Sequence, residues 1–330
     1  MSKVKIVIVN YKTTQLTIDC LQSLESEREL WDDFLVELID NASPDSSGDQ
    51  LREAIDARGW SPWVNFTQAQ DNGGFARGNN IGLRKSLAHN ADLEFALLLN
   101  PDTIVFPGAI KALADFLDNN PRTGIAGSRL EELDGAVHVS AFRFANLIDE
   151  LNRGLRLGLV TKLFHKYICA PPVQSRPHQT DWVSGASFMV RRKVFEDIGL
   201  LDEGYFMYYE EADFCKRAQN AGWECWYVPT SRVIHLEGQS SGIRSGDPKP
   251  KRRPSYLFES RRRFFQKHYG RGYAILADLA WLLTYPLWRV RRRLQQKTDR
   301  DPGMMWWDMF RHSSIFHGID RTPAPSLRDT

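Results

Sequence analysis

A cluster of acidic residues directly follows an aromatic segment, "YFMYYEEADF" at 205–214. Glu210, Glu211 and Asp213 lie within four residues of one another. A carboxyl group that aromatic side chains shield from water holds its proton more tightly than a solvated one, which suits a general base. Acids are also typical of the first turn of a helix, where they interact favourably with the helix dipole. The cluster is therefore a candidate catalytic site and a candidate helix start.

A second candidate is "NPD" at 100–102, which ends the apolar run "FALLL". Asn100 and Asp102 flank a proline as in the acidic metal turn DxD, with asparagine in place of the first acid. A hard divalent cation such as Mg²⁺ uses few protein carboxylates and leaves positions for substrate phosphates. His235, at the end of the run "SRVIH", could bind the same ion. The alternatives are an ordinary turn and a structural histidine.

The elements that must position these residues alternate between strand-like and helix-like patterns. Strands are predicted at 5–9, 34–39, 64–68 and 94–99. The alternation predicts an α/β fold with a mostly parallel central sheet flanked by helices. Polar residues follow the four strand ends, namely Asn10, Asp40, Asp71 and the pair Asn100 and Asp102. Ligands bind at the carboxyl ends of strands in such sheets, so we expect one cleft.

Glycine spacing argues against two common classes of enzyme. Gly74, Gly78 and Gly82 lie on one face of a predicted helix, where another backbone or a ligand could approach closely. They do not match the GxGxxG dinucleotide fingerprint, and the GxxxxGK[ST] phosphate loop is absent. NAD-dependent and ATP-hydrolysing enzymes are therefore disfavoured. Weak periodicity at 141–180 predicts an irregular excursion or flexible loop.

Charge is unevenly distributed along the 330 residues, although the net charge is only +2. Residues 249–300 carry a net charge of +12, which leaves −10 for the remainder. An acidic body with a basic tail suggests different partners for the two parts. The N-terminal apolar run is too short for a signal peptide, and the four cysteines show no CxxC spacing. Both observations favour a cytoplasmic protein.

The basic tail contains an apolar stretch at 273–288. It includes Asp278 and is shorter than the roughly 20 residues that a membrane-spanning helix needs. The pattern favours a helix on an anionic membrane surface, with Trp281, Tyr285 and Trp288 at the depth of the lipid headgroups. The alternative is an amphipathic helix packed on the rest of the protein. Nucleic acid is not expected as a partner, because no recognition motif accompanies the charge.

Several motifs together resemble those of the family 2 inverting glycosyltransferases, which have the GT-A fold, and especially the bacterial rhamnosyltransferase-like branch. The motifs are "VIVNYK", "LIDNASPDSS", "DNGGFARGNNIG", "LLLNPD", "WVSGASFMVRRKVFEDIGLLDEGYFMYYEEADFCKR" and "VIHLEG". The resemblance covers roughly residues 3–240. It implies a GT-A catalytic domain at 1–240, and the pattern of the basic tail adds a helical, membrane-associating C-terminal extension at 241–330.

The resemblance also implies roles for single residues. Those that would border the donor are Asn10, Tyr11, Asp40, Asp71, Gly74, Asn100 and Asp102. Asp102 and His235 would hold Mg²⁺ or Mn²⁺ on the donor diphosphate. Those that would border the acceptor are Gly185, Ala186, Glu210 and Asp213. Glu211 matches the family's catalytic base, and the adjacent Glu210 remains a second candidate for that role.

The implied reaction moves a sugar from a nucleotide-diphospho-sugar to a hydroxyl of a glycan or lipid-linked acceptor, in cell-surface polysaccharide synthesis at the inner face of the membrane. Glu211 would deprotonate the hydroxyl, and a single displacement would invert the anomeric carbon. The branch implies dTDP-L-rhamnose as the donor, with a UDP-hexose or UDP-N-acetylhexosamine as the alternative. A sugar nucleotidyltransferase would need a Gly-rich basic loop after the first strand, unlike "NYKTTQ". An inactive membrane scaffold would not need Asp102 or Glu211.

Overall fold

The computed structural model describes residues 3–89, 92–236, 250–318 and 324–325. Its strands are β1 (Val4–Asn10), β2 (Phe34–Asp40), β3 (Val64–Gln68), β4 (Phe95–Leu99), β5 (Thr103–Val105), β6 (Thr123–Glu131), β7 (Ala141–Phe142), β8 (His178–Thr180), β9 (Trp182–Val183), β10 (Ser187–Arg191) and β11 (Glu224–His235). Its helices are α1 (Thr14–Arg28), α2 (Ser47–Ala57), α3 (Gly74–His89), α4 (Ala109–Asn119), α5 (Leu147–Leu155), α6 (Gly158–Leu163), α7 (Arg192–Ile198), α8 (Glu210–Asn220), α9 (Ser255–Leu294) and α10 (Met305–Arg311).

The main sheet has the strand order β3-β2-β1-β4-β10-β6-β11-β5, and β8 pairs with β11. Pairing is parallel from β3 through β4 and between β6 and β11. β10 is antiparallel to both β4 and β6, and β5 is antiparallel to β11. The expected α/β fold with a mostly parallel sheet is confirmed.

Helices cover both faces of the sheet because the central strands are apolar on both sides. Along β1, Val7 and Val9 pack into one core, while Ile6 and Ile8 pack into the other. The first core includes residues of α3, α7, α8 and α9, and the second includes residues of α1, α2 and α4. Strands buried on both faces are near-continuous apolar runs, which is why the sequence marked them clearly.

One segment differs from the expectation. The region 141–180 contains β7, α5, α6 and β8, so it is more ordered than the irregular loop that its weak periodicity predicts. The polar cap on α5 explains part of this order, because the Asn146 side chain accepts hydrogen bonds from the backbone N–H groups of Ile148 and Asp149.

The C-terminal helix α9 packs against the rest of the protein. Phe264, Phe265, Ala274 and Ala277 of α9 belong to the same apolar core as the central strands. Basic residues in the first half of α9 pair with acids elsewhere: Arg261 lies 3.0 Å from Glu150, Arg263 lies 2.9 Å from Asp202, and Lys267 lies 2.7 Å from Asp213. Part of the charge asymmetry between body and tail is therefore neutralised within the molecule.

This packing corrects the expected membrane contacts of the tail. Trp281 and Tyr285 are only 4% and 3% exposed, so neither can lie among lipid headgroups. They stack on each other, with ring centroids 4.4 Å apart, in a small core that also contains Phe258 and Met309. Within the described ranges, no helix has the length and apolarity needed to cross a membrane. The expected domain boundary between 240 and 241 lies outside the described residues.

Candidate active site

A cleft of about 570 Å³ lies where the carboxyl ends of the central strands meet the start of β10. Because β10 is antiparallel to β4, Ser187 pairs with Leu99, and the residues before β10 lie beside those after β4. The Asn100 N–H donates to the Ala186 carbonyl at 2.9 Å, which fixes this junction. The sequence-predicted residues that line the cleft are Tyr11, Gly74, Asn100, Asp102, Gly185, Ala186, Glu210, Glu211 and His235.

Strand pairing brings His235 to the "NPD" turn. His235, at the end of β11, pairs with Thr103 of β5, the residue after Asp102. The His235 Nε2 atom lies 3.4 Å from Asp102 Oδ1 and 3.4 Å from Asn100 Nδ2. Asp102 is 4% exposed, and the buried Asn100 Oδ1 atom has no hydrogen-bond partner among the described residues. The Asp102 carboxylate, the Asn100 amide and the His235 imidazole therefore converge at one wall of the cleft.

This set of donors fits a divalent cation that also binds phosphate. A buried amide oxygen without a partner is unfavourable unless a ligand satisfies it. Asp102, His235 and the Asn100 amide are too few to enclose an ion, and no group of three His, Cys, Asp or Glu side chains suited to a metal occurs in the part of the chain that the structure describes. Mg²⁺ and similar ions commonly bind to one or two carboxylates and take their other ligands from substrate phosphates and water.

The carboxylate pair begins α8, which confirms the expected helix start. Glu210 is the first residue of α8 and is 4% exposed, whereas Glu211 is partly exposed to the cleft. Gly185 lies beside the Glu211 carboxylate: a Cβ atom on this glycine would lie 3.4 Å from Glu211 Oε1. The Oε2 atoms of both glutamates are buried and lack a partner among the described residues. Each carboxylate therefore retains an oxygen that could accept a proton.

Burial changes the proton affinity of this pair. Loss of solvation raises the pKa of Glu210 well above its ordinary value, and the neighbouring Glu211 charge raises it further. Loss of solvation also raises the pKa of Glu211, while backbone N–H groups, including that of Gly185, act in the opposite direction. A raised pKa makes a glutamate a stronger base towards a hydroxyl proton.

Asn10 and Asp40 lie beneath the cleft and do not line it. Both are fully buried, and Asn10 Nδ2 donates to Asp40 Oδ1 at 2.6 Å. Asp40 also accepts hydrogen bonds from the backbone N–H of Ser43 at 3.0 Å and from Gln68 Nε2 at 2.5 Å. These contacts hold the ends of β1 and β2 in place, so the structure gives both residues a supporting position.

Two other predicted residues also lie outside the cleft lining. The Asp71 carboxylate is 60% exposed and pairs with Arg77 at 2.6 Å. Asp213 is fully buried, and its carboxylate contacts Arg217 Nε, Lys267 Nζ and His268 Nε2 at 2.7 to 2.8 Å. With its oxygens committed to these cations, Asp213 is positioned to join α8 to α9 and not to contact an acceptor.

The glycine-rich helix α3 supports the cleft by close packing. A Cβ atom on Gly78 or Gly82 would lie 2.7 or 2.6 Å from a methyl group of Val9 or Val7, so α3 can rest directly on β1. Gly74 has φ +82°, and a Cβ atom there would lie 2.0 Å from the carbonyl oxygen of Phe206. Only glycine fits this position.

Sequence reasoning missed several cleft residues. Asn41 follows Asp40 directly, and its Nδ2 group donates to Asn72 Oδ1 at 2.9 Å and to the Gly74 carbonyl at 3.1 Å. Its position directly after the end of β2 is a sequence signal that could have identified Asn41 as a cleft residue. Tyr256 of α9 also lines the cleft, but nothing in the sequence links it to residues so far away along the chain.

Comparison with known sequences identifies the family. Residues 5–199 match the profile of Glycosyl transferase family 2. An N-acetylglucosaminyl-diphospho-decaprenol L-rhamnosyltransferase of Mycobacterium tuberculosis is 34% identical over 157 residues, 45% of this chain and 49% of the relative. The low-salt glycan biosynthesis hexosyltransferase Agl10 of Haloferax volcanii is 30% identical over 222 residues, 66% of this chain and 62% of the relative. The rhamnosyltransferase WbbL of Escherichia coli is 27% identical over 165 residues, 49% and 60% of the two chains.

The chain thus spans about half to three fifths of the length of these relatives. Among solved structures, the mannosyltransferase PcManGT of Pyrobaculum calidifontis, in complex with GDP-Man and Mn²⁺, aligns with a TM-score of 0.54 at 13% identity over 89% of this chain and 75% of its own. GalNAc-T7 with UDP, GalNAc and Mn²⁺ aligns with a TM-score of 0.57 at 14% identity over 95% and 59%. These structures confirm the GT-A fold. The chain therefore belongs to glycosyl transferase family 2, and its sequence relatives place it on the rhamnosyltransferase-like branch.

Proposed function

We propose that the protein is an inverting glycosyltransferase that moves a sugar from a nucleotide-diphospho-sugar to a hydroxyl of a glycan or lipid-linked acceptor. One observation supports this most directly. A single cleft contains the Asn100, Asp102 and His235 side chains as well as the Glu210–Glu211 pair. Such a cleft can hold a charged diphosphate and also remove a proton from a nucleophile.

Glu211 is the proposed base. It is partly exposed to the cleft and lies beside Gly185, whereas Glu210 is almost completely buried. Glu211 would accept the proton of the acceptor hydroxyl while that oxygen attacks the anomeric carbon from the side opposite the diphosphate. A single displacement of this kind inverts the anomeric centre. Glu210, uncharged when its proton is retained, would limit the negative charge beside the base.

Asp102 and His235, with Asn100, would hold a divalent cation on the donor diphosphate. When bound, such an ion stabilises the charge that develops on the leaving nucleoside diphosphate. The two structural neighbours that contain Mn²⁺ together with a nucleotide or nucleotide-sugar support this assignment. Mg²⁺ and Mn²⁺ are both compatible with the ligands present.

The donor that we propose is dTDP-L-rhamnose, because two sequence relatives are named as rhamnosyltransferases. A UDP-hexose or UDP-N-acetylhexosamine is the alternative, and the relative named as a hexosyltransferase keeps it open. The acceptor that we propose is a lipid-linked glycan in cell-surface polysaccharide synthesis. The name of the mycobacterial relative, which acts on a sugar attached to diphospho-decaprenol, supports this class.

The proposal is tested by calorimetric titration of dTDP and UDP, each with and without Mn²⁺, into the wild type and the variant Asp102→Ala. We expect metal-dependent binding of one nucleotide that is lost in Asp102→Ala. The exposed Asp49, which pairs with Arg52 of its own helix, provides a matched control in Asp49→Ala. Failure of the wild type to bind either nucleotide under any condition would contradict a transferase function and favour a scaffold.

We further propose that the protein associates peripherally with the inner face of the cell membrane through α9. The support is an exposed apolar face on this helix, opposite the face that packs on the body. Its members are Leu276, Leu283, Leu287, Val290 and Leu294, which are 54 to 80% exposed. Large contiguous apolar surfaces of this kind are typically covered by a partner or a membrane. We call this set the leucine face.

The charges around the leucine face favour an anionic lipid surface over a second copy of the chain. Arg291, Arg292 and Arg293 precede Leu294, and Arg271 lies before Leu276 at the other end. Two copies packed through this face, in either relative orientation, would bring arginines near arginines. An anionic bilayer would instead attract these charges while it covers the leucines.

A second exposed apolar segment lies next to the same helix. Arg291 donates hydrogen bonds to the backbone carbonyls of Leu155 and Arg156, so the end of α5 is held against α9. The short helix α6 follows, and its Leu159 and Leu163 are 79% and 71% exposed. The bilayer would cover these two residues of α6 in addition to the leucine face.

A further inference from the structure

The segment 206–209 connects the donor side of the cleft to the C-terminal helix. The Phe75 N–H of α3 donates to the Phe206 carbonyl at 2.8 Å. On the other side, the Ser260 hydroxyl of α9 donates to the Met207 carbonyl at 3.0 Å. The segment is therefore fixed between the helix that borders the proposed donor site and the helix that forms the tail.

Three aromatic rings are brought together by this arrangement. The rings of Phe206 and Tyr256 have centroids 5.3 Å apart, and those of Tyr208 and Tyr256 are 6.1 Å apart with an interplanar angle of 28°. All three residues line the cleft that contains Glu211. Phe206 is 38% exposed, so its ring is accessible from the cleft.

The backbone of this segment is strained. Tyr208 and Tyr209 both have φ +70°, a left-handed conformation that non-glycine residues rarely adopt. Strain of this kind clusters at binding and catalytic sites. Here it turns the chain immediately before Glu210, so the aromatic rings and the carboxylate pair face the same cleft.

We infer that Phe206, Tyr208 and Tyr256 form an aromatic subsite that binds a pyranose ring of the acceptor, so that α9 supplies part of the active site. A pyranose presents C–H groups on its faces and hydroxyls at its edge. Aromatic faces can contact the C–H groups, and tyrosine hydroxyls can form hydrogen bonds with the sugar hydroxyls. The inference rests on the proposed function, because it assigns the donor to the part of the cleft near Tyr11, Asn41 and Asn72.

The rings are assigned to the acceptor because of where they lie. Phe206 and Tyr208 closely precede the carboxylates and Tyr256 packs on both rings, whereas the proposed metal ligands lie in the turn after β4 and at the end of β11. The hydroxyl that Glu211 deprotonates belongs to the acceptor, so the sugar that carries it must lie beside Glu211. The aromatic subsite occupies that position.

The test measures binding of simple glycosides by saturation-transfer NMR. The probes are the methyl glycosides of glucose, N-acetylglucosamine, galactose, mannose and rhamnose, each with saturating dTDP or UDP and Mn²⁺. The variants are Tyr256→Ala, Tyr256→Phe and Tyr256→Leu, and the control is Tyr167→Ala, at a tyrosine that is 51% exposed in another segment. Thermal unfolding and nucleotide titration are recorded for each variant.

We expect at least one glycoside to bind the wild type through its ring protons, and to bind Tyr256→Ala about tenfold more weakly or not at all. Tyr256→Phe should retain most of the binding, and Tyr167→Ala all of it. If Tyr256→Ala does not fold, Tyr256→Leu replaces it, because leucine fills most of the space without an aromatic face. Tyr256→Leu should then show the same loss of glycoside binding. Nucleotide binding should be unchanged in every folded variant.

Two results would overturn the inference. Equal glycoside affinity in the wild type and the folded Tyr256→Ala or Tyr256→Leu variant would show that the rings do not hold the sugar. Absence of glycoside binding to a wild type that does bind nucleotide would show that no pyranose subsite exists here. Failure of the wild type to bind nucleotide is a different result, because it contradicts the proposed function itself.

Discussion

His268 of α9 lies 2.8 Å from the buried carboxylate of Asp213 in the first turn of α8. Lys267 lies 2.7 Å from the same carboxylate oxygen, and Arg217 contacts the other at 2.8 Å. Burial alone would raise the pKa of Asp213, but the His268 hydrogen bond and the two cations outweigh it and hold that pKa well below its ordinary value. The helix that carries the proposed base is thus held in place by the C-terminal helix.

The first prediction concerns the stability of this junction. Asp213→Asn should lower the free energy of unfolding at pH 7 by about 3 to 5 kcal/mol, because it leaves buried cations without their anion. Urea denaturation measures the change. Asp115→Asn is the control: Asp115 forms an exposed pair with Lys111, and its loss should lower the free energy by less than about 1 kcal/mol.

The pH dependence of this difference follows from the lowered pKa. Asp213 binds its proton less tightly in the folded protein than in the unfolded chain, so its stabilising effect is complete above the unfolded pKa of roughly 4 and is lost as the pH falls further. The gap between the wild type and Asp213→Asn should therefore narrow below about pH 4. A gap that is absent at pH 7 would mean that the junction contributes nothing to stability.

The second prediction concerns Glu211 as the base. Glu211→Gln should reduce kcat by roughly 10² to 10⁴ while nucleotide affinity stays unchanged, because the amide cannot accept the hydroxyl proton. In the wild type, the raised pKa of Glu211 should move the acid limb of the pH–rate profile above the ordinary glutamate value of about 4.3. Retention of wild-type kcat in Glu211→Gln would shift the role to Glu210.

The third prediction separates Glu210 from its neighbour. Glu210 holds its proton more tightly in the folded state than in the unfolded chain, so its ionisation destabilises the fold as the pH rises above the unfolded value of about 4.3. Glu210→Gln removes this effect and should raise the free energy of unfolding by about 1 to 3 kcal/mol at pH 8, with little change near pH 4. Denaturation curves at the two pH values measure it, and an equal gain at both would refute the ionisation argument.

Local patterns in the sequence were sufficient to predict the sheet and much of the cleft. The run 64–68 was predicted as a strand with the bounds of β3, and "NPD" lies at the end of β4 as expected. Buried parallel strands are apolar over their whole length, and polar residues follow them directly at the carboxyl edge. Both signals are contained in a few consecutive residues, which is why they could be recognised without the structure.

The orientation of α9 and the position of Asp213 could not be predicted this way. Apolar residues surround the second half of α9, so the sequence does not reveal that Trp281 faces the protein and Leu283 faces outward. Similarly, the sequence does not distinguish Asp213 from its neighbours Glu210 and Glu211, because its partners Lys267 and His268 lie more than 50 residues later in the chain. Such distinctions depend on contacts between distant parts of the chain.

The fourth prediction concerns the leucine face. The double variant Leu283→Glu, Leu287→Glu should bind vesicles of phosphatidylglycerol and phosphatidylcholine at least about tenfold more weakly than the wild type. Each leucine that enters the bilayer would contribute about 1.5 to 3 kcal/mol to the binding free energy, and the carboxylates that replace them are repelled by the anionic lipid. Vesicle sedimentation measures the change, and pure phosphatidylcholine should bind the wild type more weakly. Both positions are exposed, so folding should be preserved.

Leu133→Glu is the matched control for this experiment. Leu133 is 71% exposed, close to the 69% of Leu283, but it lies in the turn between β6 and β7. It should leave vesicle binding unchanged, since a charge there meets neither the leucine face nor the arginines beside it. Unchanged binding in the double variant would contradict membrane docking through α9. A wild-type dimer in sedimentation equilibrium that the double variant converts to a monomer would instead assign the leucine face to contact between two copies, despite the arginines at both of its ends.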